Sequence, residues 1–307
     1  MGILEIHDLH KSFGNKEVLQ GLEMNVPEHS VYGFVGQNGA GKTTTMKIVL
    51  GLLKANSGEV FVCGEKAGYG ETKTNRFIGY LPDVPEFYGY MRPMEYLSFC
   101  GEITKMSKDD TKLRSEELLS LVGLGGEKRK IKSFSRGMKQ RLGIAQALLN
   151  RPELLICDEP TSALDPIGRK EILDILSAVK GETTVVFSTH VLTDVERICD
   201  YVAILHQGKL ALSGPLDEIR SSRSQGGFVI SFADAEDLAD FERAESLKRL
   251  ALDIASEGNT MTVKVSDTDY AGQIVMAELA SRGIIPQRFE VMEPSLESLF
   301  AEVVGLE

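Results

Sequence analysis

Two short segments carry the residue types that phosphoryl chemistry needs. Gly36-Gln37-Asn38-Gly39-Ala40-Gly41-Lys42-Thr43 fits the pattern G-x-x-x-x-G-K-[ST]. Glycines let the backbone curl until successive N–H groups point inward at phosphate oxygens. A short apolar run, Val31–Val35, precedes the segment, and apolar residues at helical spacing (Met46, Val49, Leu50, Leu53) follow it. That context turns the loop into a strand-to-helix turn whose helix N-terminus favours an anion. Lys42 then offers a point charge to the β- and γ-phosphates and Thr43 a hydroxyl to Mg²⁺. Thr44 continues the same turn. The second segment, Leu154-Leu155-Ile156-Cys157-Asp158-Glu159, is an apolar strand ending in two carboxylates. Asp158 suits a hydrated Mg²⁺, and Glu159 suits polarising an attacking water, since phosphoryl transfer depends on positioning and charge stabilisation.

The surrounding motifs extend the argument. Asp158-Glu159 runs into Pro160-Thr161-Ser162-Ala163-Leu164-Asp165; Ser133-Phe134-Ser135-Arg136-Gly137-Met138-Lys139-Gln140-Arg141 lies upstream, and Ser188-Thr189-His190 downstream. In this order and spacing, residues 3–217 resemble the nucleotide-binding domain of an ABC transporter. The resemblance implies a P-loop NTPase fold of the ABC ATPase type, ATP and Mg²⁺ as ligands, and ATP hydrolysis coupled to transport. Glu159, His190 and Lys42 take the catalytic roles, with Thr43, Asp83 and Asp158 around the metal. The loop from Gly36 to Thr44 holds the phosphates, and Phe13, in Lys11-Ser12-Phe13-Gly14, stacks on adenine. Ser135 and Gly137 match the signature residues that touch ATP held by the opposite subunit. Asp165 matches the loop joining two sites, and His190 the switch histidine near the γ-phosphate.

The sequence departs from the family pattern twice. A signature commonly reading Leu-Ser-Gly-Gly-Gln stands here as Phe134-Ser135-Arg136-Gly137-Met138, which puts a cation beside the presumed γ-phosphate site. Leu81-Pro82-Asp83 occupies the place of a metal-sensing Gln. Both departures, together with the ending Pro294-Ser295-Leu296-Glu297-Ser298-Leu299-Phe300, resemble the ATPases of ABC-2-type exporters, which often carry a small domain after the ATPase core. The resemblance therefore implies export through a separate integral-membrane permease subunit. It also implies an ATP-dependent dimer, homo- or heteromeric, on the cytoplasmic face of the membrane, with membrane contact only through the partner. It does not name the cargo.

The elements that must position these residues are legible as alternating patterns. Leu4-Ile6, Val18-Leu19 and Leu22-Met24-Val26 read as strands separated by turn signals at Gly14-Asn15 and Pro27. Thr43–Leu53, Ser115–Leu124, Met138–Leu149 and Arg169–Val179 read as helices, with Leu154–Cys157 and Thr184–Phe187 as buried strands. Strands alternating with helices predict an α/β fold whose sheet is largely parallel. The expected organisation is an ATPase domain over residues 1–220 with a helical subdomain near 85–150. A polar linker, Ser221–Gly227, leads to a small α+β accessory or dimerisation domain over 227–307. There the pattern predicts strands at Phe228–Phe232, Met261–Val265 and Pro286–Val291, and helices at Leu238–Leu250, Tyr270–Ser281 and Leu296–Val304.

Composition narrows the function classes. The chain has 307 residues, 42% apolar and 26% charged, with net charge −11. Residues 220–307 hold 8 basic and 16 acidic side chains, so this segment repels nucleic acid and anionic lipid. No stretch of about 18 apolar residues predicts a transmembrane helix. The N-terminus lacks the basic and apolar regions of a secretory signal. Four widely spaced cysteines form no C-x-x-C pair, which predicts reduced structural thiols. A GTPase is disfavoured, because the Asn15-Lys16 pair lacks the Asp of a guanine motif. An ABC ATPase acting on DNA or ribosomes is disfavoured too: the stretch from Thr43 to Asp158 has no room for a long coiled-coil insertion and carries no Cys/His cluster.

Overall fold

A computed structural model describes residues 2–70, 73–223, 226–292, 296–297 and 299–300. The chain divides into two compact units, Met1–Leu216 and Asp217–Glu307.

In the first unit, β1 (Leu4–Phe13) and β2 (Lys16–Val26) form an antiparallel hairpin through Gly14-Asn15, as the turn signal predicts. Next come β3 (Val31–Val35) and α1 (Lys42–Val49), then β4 (Ser57–Val62), β5 (Glu65–Lys66) and β6 (Ile78–Leu81). Three helices follow: α2 (Pro93–Ile103), α3 (Lys108–Leu121) and α4 (Arg136–Ala147). The remainder runs β7 (Leu154–Asp158), α5 (Pro166–Val179), β8 (Thr184–Thr189), α6 (Leu192–Ile198), β9 (Tyr201–His206) and β10 (Lys209–Pro215). One sheet is antiparallel, in the order β2-β1-β4-β5. The other runs β10-β9-β3-β8-β7-β6 and is parallel except for β10, which turns back on β9 at Gly208.

The parallel strands are mostly apolar because helices cover them, with polar residues such as Asp158 and Ser188 at their carboxyl ends. Every residue of β3, β7 and β8 is buried. One core joins the two sheets, with Leu4, Ile6 and Leu22 packed in the same cluster as Tyr32, Phe34, Ile156 and Val186. Burying such side chains stabilises the fold by about 1.5–3 kcal/mol each. β3 and β7 are separated only by β8, so their carboxyl ends lie roughly 10 Å apart, two inter-strand spacings.

Helix boundaries differ from the sequence reading where glycines and caps intervene. The helix expected over Thr43–Leu53 stops at Val49, because Gly51 takes φ 68° and the Gly51 and Leu52 N–H groups bond back to Ile48 and Lys47. Leu52 is left exposed. The other helices begin earlier than predicted, at oxygen-bearing caps. Ser107 accepts from Asp110 N for α3, Ser135 from Met138 N for α4, and Asp165 from Gly168 N for α5.

The second unit opens with α7 (Leu216–Arg223), which crosses the division. It continues with β11 (Gly226–Ser231), α8 (Ala235–Glu242), α9 (Glu245–Leu250), β12 (Ala251–Glu257), β13 (Thr260–Val265), α10 (Thr268–Ser281) and β14 (Arg288–Met292). Its antiparallel sheet runs β12-β13-β11-β14. The expected linker is mostly structured: α7 takes it up to Arg223 and β11 takes Gly226 and Gly227, while Ser224 and Gln225 lie outside the described residues. Gly227 pairs with Lys264 and Met292, and a Cβ there would strike the Val263 carbonyl, so this glycine serves close strand approach rather than flexibility. The single helix expected at Leu238–Leu250 is two, broken where Ala244 adopts an extended conformation (ψ 121°) and is fully buried. β12 escaped prediction because its sequence, ALDIASE, is mostly exposed and nearly lacks β-branched residues. Of the expected C-terminal helix, 296–297 and 299–300 are helical; Pro294, Ser295, Ser298 and 301–304 lie outside the described residues.

Aromatic pairs organise this second core: Phe228 against Phe289 at 5.2 Å and Phe232 against Phe241 at 5.5 Å. Phe241 is fully buried. Phe241→Ala should destabilise the unit by about 3–5 kcal/mol. Chemical denaturation monitored by hydrogen exchange across 226–292 checks this; a loss under about 1 kcal/mol would contradict the packing.

Candidate functional site

The phosphate loop leaves β3 at Val35 and re-enters regular structure at Lys42. Gly41 caps α1 at φ 119°, a conformation side chains rarely adopt, and a Cβ there would lie 2.8 Å from Leu19 Cδ2. Around Gly39 (φ 84°) a Cβ would meet nothing within 4 Å, so this part of the loop faces open space. Ala40 N–H donates to the Gln37 carbonyl at 3.1 Å, which closes the curl. The loop therefore bends around a concavity, with the first N–H groups of α1 on its wall.

Lys42 is the cation of this concavity, and it is only 5% exposed. Its Nζ donates to the Gly36 carbonyl at 2.5 Å and lies 3.2 Å from Glu159 Oε1. Glu159 Oε1 is buried and has no hydrogen-bond partner, while Oε2 is 3.0 Å from His190 Nδ1. Glu159 also has φ 47°, an uncommon conformation for a non-glycine residue and one found at strained functional sites. Beneath this cluster Asp158, 4% exposed, accepts from Thr43 Oγ1 at 3.1 Å and from Ser188 Oγ at 2.7 Å. Ser188 Oγ in turn accepts from Glu159 N–H at 2.9 Å. One serine at the end of β8 thus links both carboxylate-bearing residues.

A cleft of about 650 Å³ opens over this group. It is bordered by Gln37, Asn38, Gly39 and Gly41 through Thr44, by Asp158 and Glu159, and at its far side by Phe13. Phe13 is 51% exposed with Lys11 Nζ 4.8 Å from its ring centre, which leaves a face free for stacking. The volume falls in the range of small-molecule sites. Gly36 and Ala40 shape the loop without bordering the cleft. Six bordering residues were missed by the sequence reading: Lys16, Val18, Lys47, Tyr80, Pro82 and Val84. Burial, with Asp158 nearby, pushes the Tyr80 hydroxyl up to about 12, so it stays a neutral donor at pH 7. Lys16 sits just past Phe13 and Lys47 one helical turn after Thr43; basic residues flanking the motifs were the available signal.

Ser135, Gly137 and Asp165 do not join this cleft. They share a separate cavity of about 280 Å³, with Arg136 and Leu164. Asp83 borders the cleft, but its carboxylate turns to Arg136: Oδ1 accepts from Nη2 at 3.1 Å, and Gln140 Nε2 donates to the Asp83 carbonyl at 2.7 Å. The two departures from the family pattern are therefore partners. Among the described residues no cluster of three or more His, Cys, Asp or Glu could hold a metal. Thr43 and Asp158 form the sparse oxygen set that suits Mg²⁺, which keeps water and phosphate oxygens as its other ligands. All four cysteines are free; Cys157 is buried in β7, and burial pushes its thiol far up, as expected of a structural residue.

A phosphate loop after one parallel strand and an Asp-Glu pair after another, one strand apart, make this unit a P-loop nucleotide hydrolase. Residues 19–162 match the family described as ABC transporter, and residues 214–304 match the C-terminal domain of DrrA1-3-like ATP-binding proteins. YxlF of Bacillus subtilis (strain 168), described as an uncharacterized ABC transporter ATP-binding protein, is 37% identical over 98% of this chain and 99% of its own length. The bacitracin transport ATP-binding protein BcrA of Bacillus licheniformis is 34% identical over 99% of this chain and 97% of its own. A solved ATP-binding subunit of an ABC transporter superposes with TM-score 0.64 and 32% identity, covering 72% of this chain and 92% of that one. A cassette solved as a post-hydrolysis dimer with ADP and Pi gives 0.62 and 26%, over 69% and 98%. The chain belongs to the ABC transporter ATP-binding proteins. It is a subunit that binds and hydrolyses ATP to drive transport.

Lys42→Ala should weaken ATP binding by about 2–3 kcal/mol, because it deletes a buried, charged phosphate partner. Calorimetric titration with ATP checks this; an unchanged dissociation constant would remove Lys42 from the phosphate site.

Proposed function

We propose that Glu159 is the general base of ATP hydrolysis, held in place by Lys42 and His190. The supporting observation is that Glu159 lies between their nitrogens, 3.2 and 3.0 Å away, with one buried oxygen carrying no hydrogen bond. Oε1, 3.2 Å from the Lys42 ammonium, becomes free to accept a proton from water once Lys42 turns to phosphate oxygens. Lys42 exchanges the Gly36 carbonyl for phosphate oxygens when nucleotide enters, and the loop N–H groups take up further phosphate charge. Thr43 and Asp158 would hold Mg²⁺, which would supply positive charge against the phosphates. Phe13 stacks on the base. Asp83 reaches the metal region only by releasing Arg136.

Each chain carries two half-sites. The cleft holds Phe13, Lys42 and Glu159; the separate cavity holds Ser135, Gly137 and Asp165. Segregation of the two sets supports a dimer in which the signature segment of one copy closes over ATP in the other, Asp165 bridging between sites. Exposed Ile167 (71%), next to Asp165, fits such a contact. Either a homodimer or a heterodimer satisfies this arrangement.

The permease partner is best accommodated beside Asp83. A groove of about 420 Å³ there is lined by Val84, Pro85, Phe87 and Ile131, with Lys132 and Lys139 at its edge. Exposed Tyr88 and Tyr90 extend it. Apolar side chains beside charges of both signs, Asp83 and Glu86 with Lys132, Arg136 and Lys139, suit an amphipathic helix end. No helix among the described residues is long and apolar enough to cross a membrane. Contact with the permease would hold the subunit at the cytoplasmic face. Relatives named for bacitracin and lantibiotic transport support export as the direction.

Glu159→Gln should leave ATP binding intact and slow hydrolysis at least about a hundredfold, roughly 3 kcal/mol of transition-state stabilisation. Steady-state phosphate release together with ATP titration checks this; hydrolysis at the parent rate would end the general-base reading. In the Glu159→Gln protein, ATP should raise the dimer fraction seen by analytical ultracentrifugation. Adding Ser135→Arg should abolish that increment while leaving ATP affinity within about twofold, since a bulky cation blocks the shared site. An increment that survives Ser135→Arg would refute closure through the signature segment.

A further inference from the structure

The loop from Glu159 to Ala163 carries two left-handed non-glycine residues, Glu159 at φ 47° and Ala163 at φ 53°. Each such residue strains the loop and persists only where the surroundings over-determine it. Backbone bonds supply part of the restraint: Ser162 N–H to the Glu159 carbonyl at 3.0 Å and Leu164 N–H to the Thr161 carbonyl at 3.3 Å. Between the two strained residues stands Thr161, 1% exposed. Its hydroxyl donates to Asp194 Oδ2 at 2.7 Å.

Asp194 lies in the first turn of α6, which begins directly after His190 and Val191. It is 2% exposed, far more buried than carboxylates usually are. Its other oxygen, Oδ1, is 3.8 Å from Arg169 Nε on α5, the helix that follows the Glu159–Asp165 loop. A single buried carboxylate thus touches three segments: the helix behind the histidine, the loop behind the glutamate, and α5. A buried carboxylate is retained against its desolvation only when it is hydrogen-bonded and paired. Asp194 has both, and every contact leads towards Glu159 or His190.

We propose that Asp194, through Thr161, is a positioning residue for hydrolysis: it holds the strained loop that aims Glu159 and ties that loop to the helix that carries His190. This rests on the reading of Glu159 as the base. The tether's side-chain bonds run to Thr161 and Arg169 rather than to the phosphate loop or Phe13, so nucleotide binding should change little without it. Without the tether the loop relaxes from its left-handed turns, and Glu159 loses its distance to His190. Misplacing a reacting group by about 1 Å lowers rates by up to about a hundredfold.

Thr161→Val deletes the hydroxyl and keeps the volume; Thr161→Ser restores it; Asp194→Ala removes the acceptor. Thr161→Val and Asp194→Ala should each lower kcat about 10- to 100-fold with KM for ATP and calorimetric ATP affinity within about twofold. Thr161→Ser should return kcat to within about threefold of the parent, and the Thr161→Val/Asp194→Ala double variant should be no slower than the slower single one. Folding is checked by thermal denaturation of each variant, and Thr161→Val serves alone if Asp194→Ala does not fold. A parent-level kcat in Thr161→Val overturns the proposal, as does a KM that rises in step with the loss of kcat. Glu159→Gln measured alongside separates the two readings. If it is inactive while Thr161→Val is unaffected, only the tether is wrong; if Glu159→Gln turns over at the parent rate, the base assignment is wrong.

Discussion

Asp158 carries a carboxylate at the buried end of a parallel strand, and the rest of the site is arranged around its need for donors. Withdrawn from water, it accepts from Thr43 on α1 and from Ser188 on β8. Those bonds join the phosphate loop to the strand that carries Glu159. The same serine then fixes the Glu159 backbone, which turns into a left-handed conformation and sends its side chain towards Lys42 and His190. The geometry of the cluster follows from satisfying one buried charge. The sheet makes this possible, because β8 lies between β3 and β7 and delivers Ser188 between the two motifs.

Separation of function within the first unit has a physical origin as well. The phosphate loop and the Asp-Glu pair gather at the carboxyl ends of the parallel strands, where open α/β sheets bind ligands. The signature residues sit instead at the capped start of α4, and Asp165 at the capped start of α5, in a cavity of their own. Ser135 and Asp165 are already used as helix caps, so their conformations are set before any ATP arrives. In the proposed dimer, two preformed half-surfaces would need only to be brought together, which keeps the ordering penalty of association low.

Asp83 and Arg136 illustrate how two departures from a family pattern become one feature. Each looks disruptive alone: a carboxylate where an amide is usual, and a cation where a small residue is usual. In the structure they face one another across β6 and α4, and Gln140 adds a bond to the Asp83 backbone. Both side chains are nearly half exposed, so the pair contributes at most about 1 kcal/mol. A link this weak is readily exchanged, which suits a segment lying between the nucleotide cleft and the groove proposed to receive the permease.

What the sequence alone determined is the local chemistry. Phosphate binding uses N–H groups of consecutive residues, so Gly36–Thr44 is legible as a string, and fully buried strands such as Val31–Val35 and Leu154–Cys157 declare themselves by unbroken apolar runs. Family resemblance added the roles of Phe13, Ser135, Gly137, Asp165 and His190, and the structure places them in two groups that the string does not separate. Tertiary structure decided everything that depends on residues distant in sequence. Ser188 meets Asp158 because β8 inserts beside β7; Asp194 meets Thr161 because α6 packs behind the Glu159 loop; Lys16 and Tyr80 reach the cleft from different sheets. The ends of helices and the true extent of the supposed linker also waited on packing, as Gly51, Ala244 and Gly227 show. Spacing along a chain records periodicity and turns, whereas the partner of a buried polar group is set by which strands and helices the fold brings side by side.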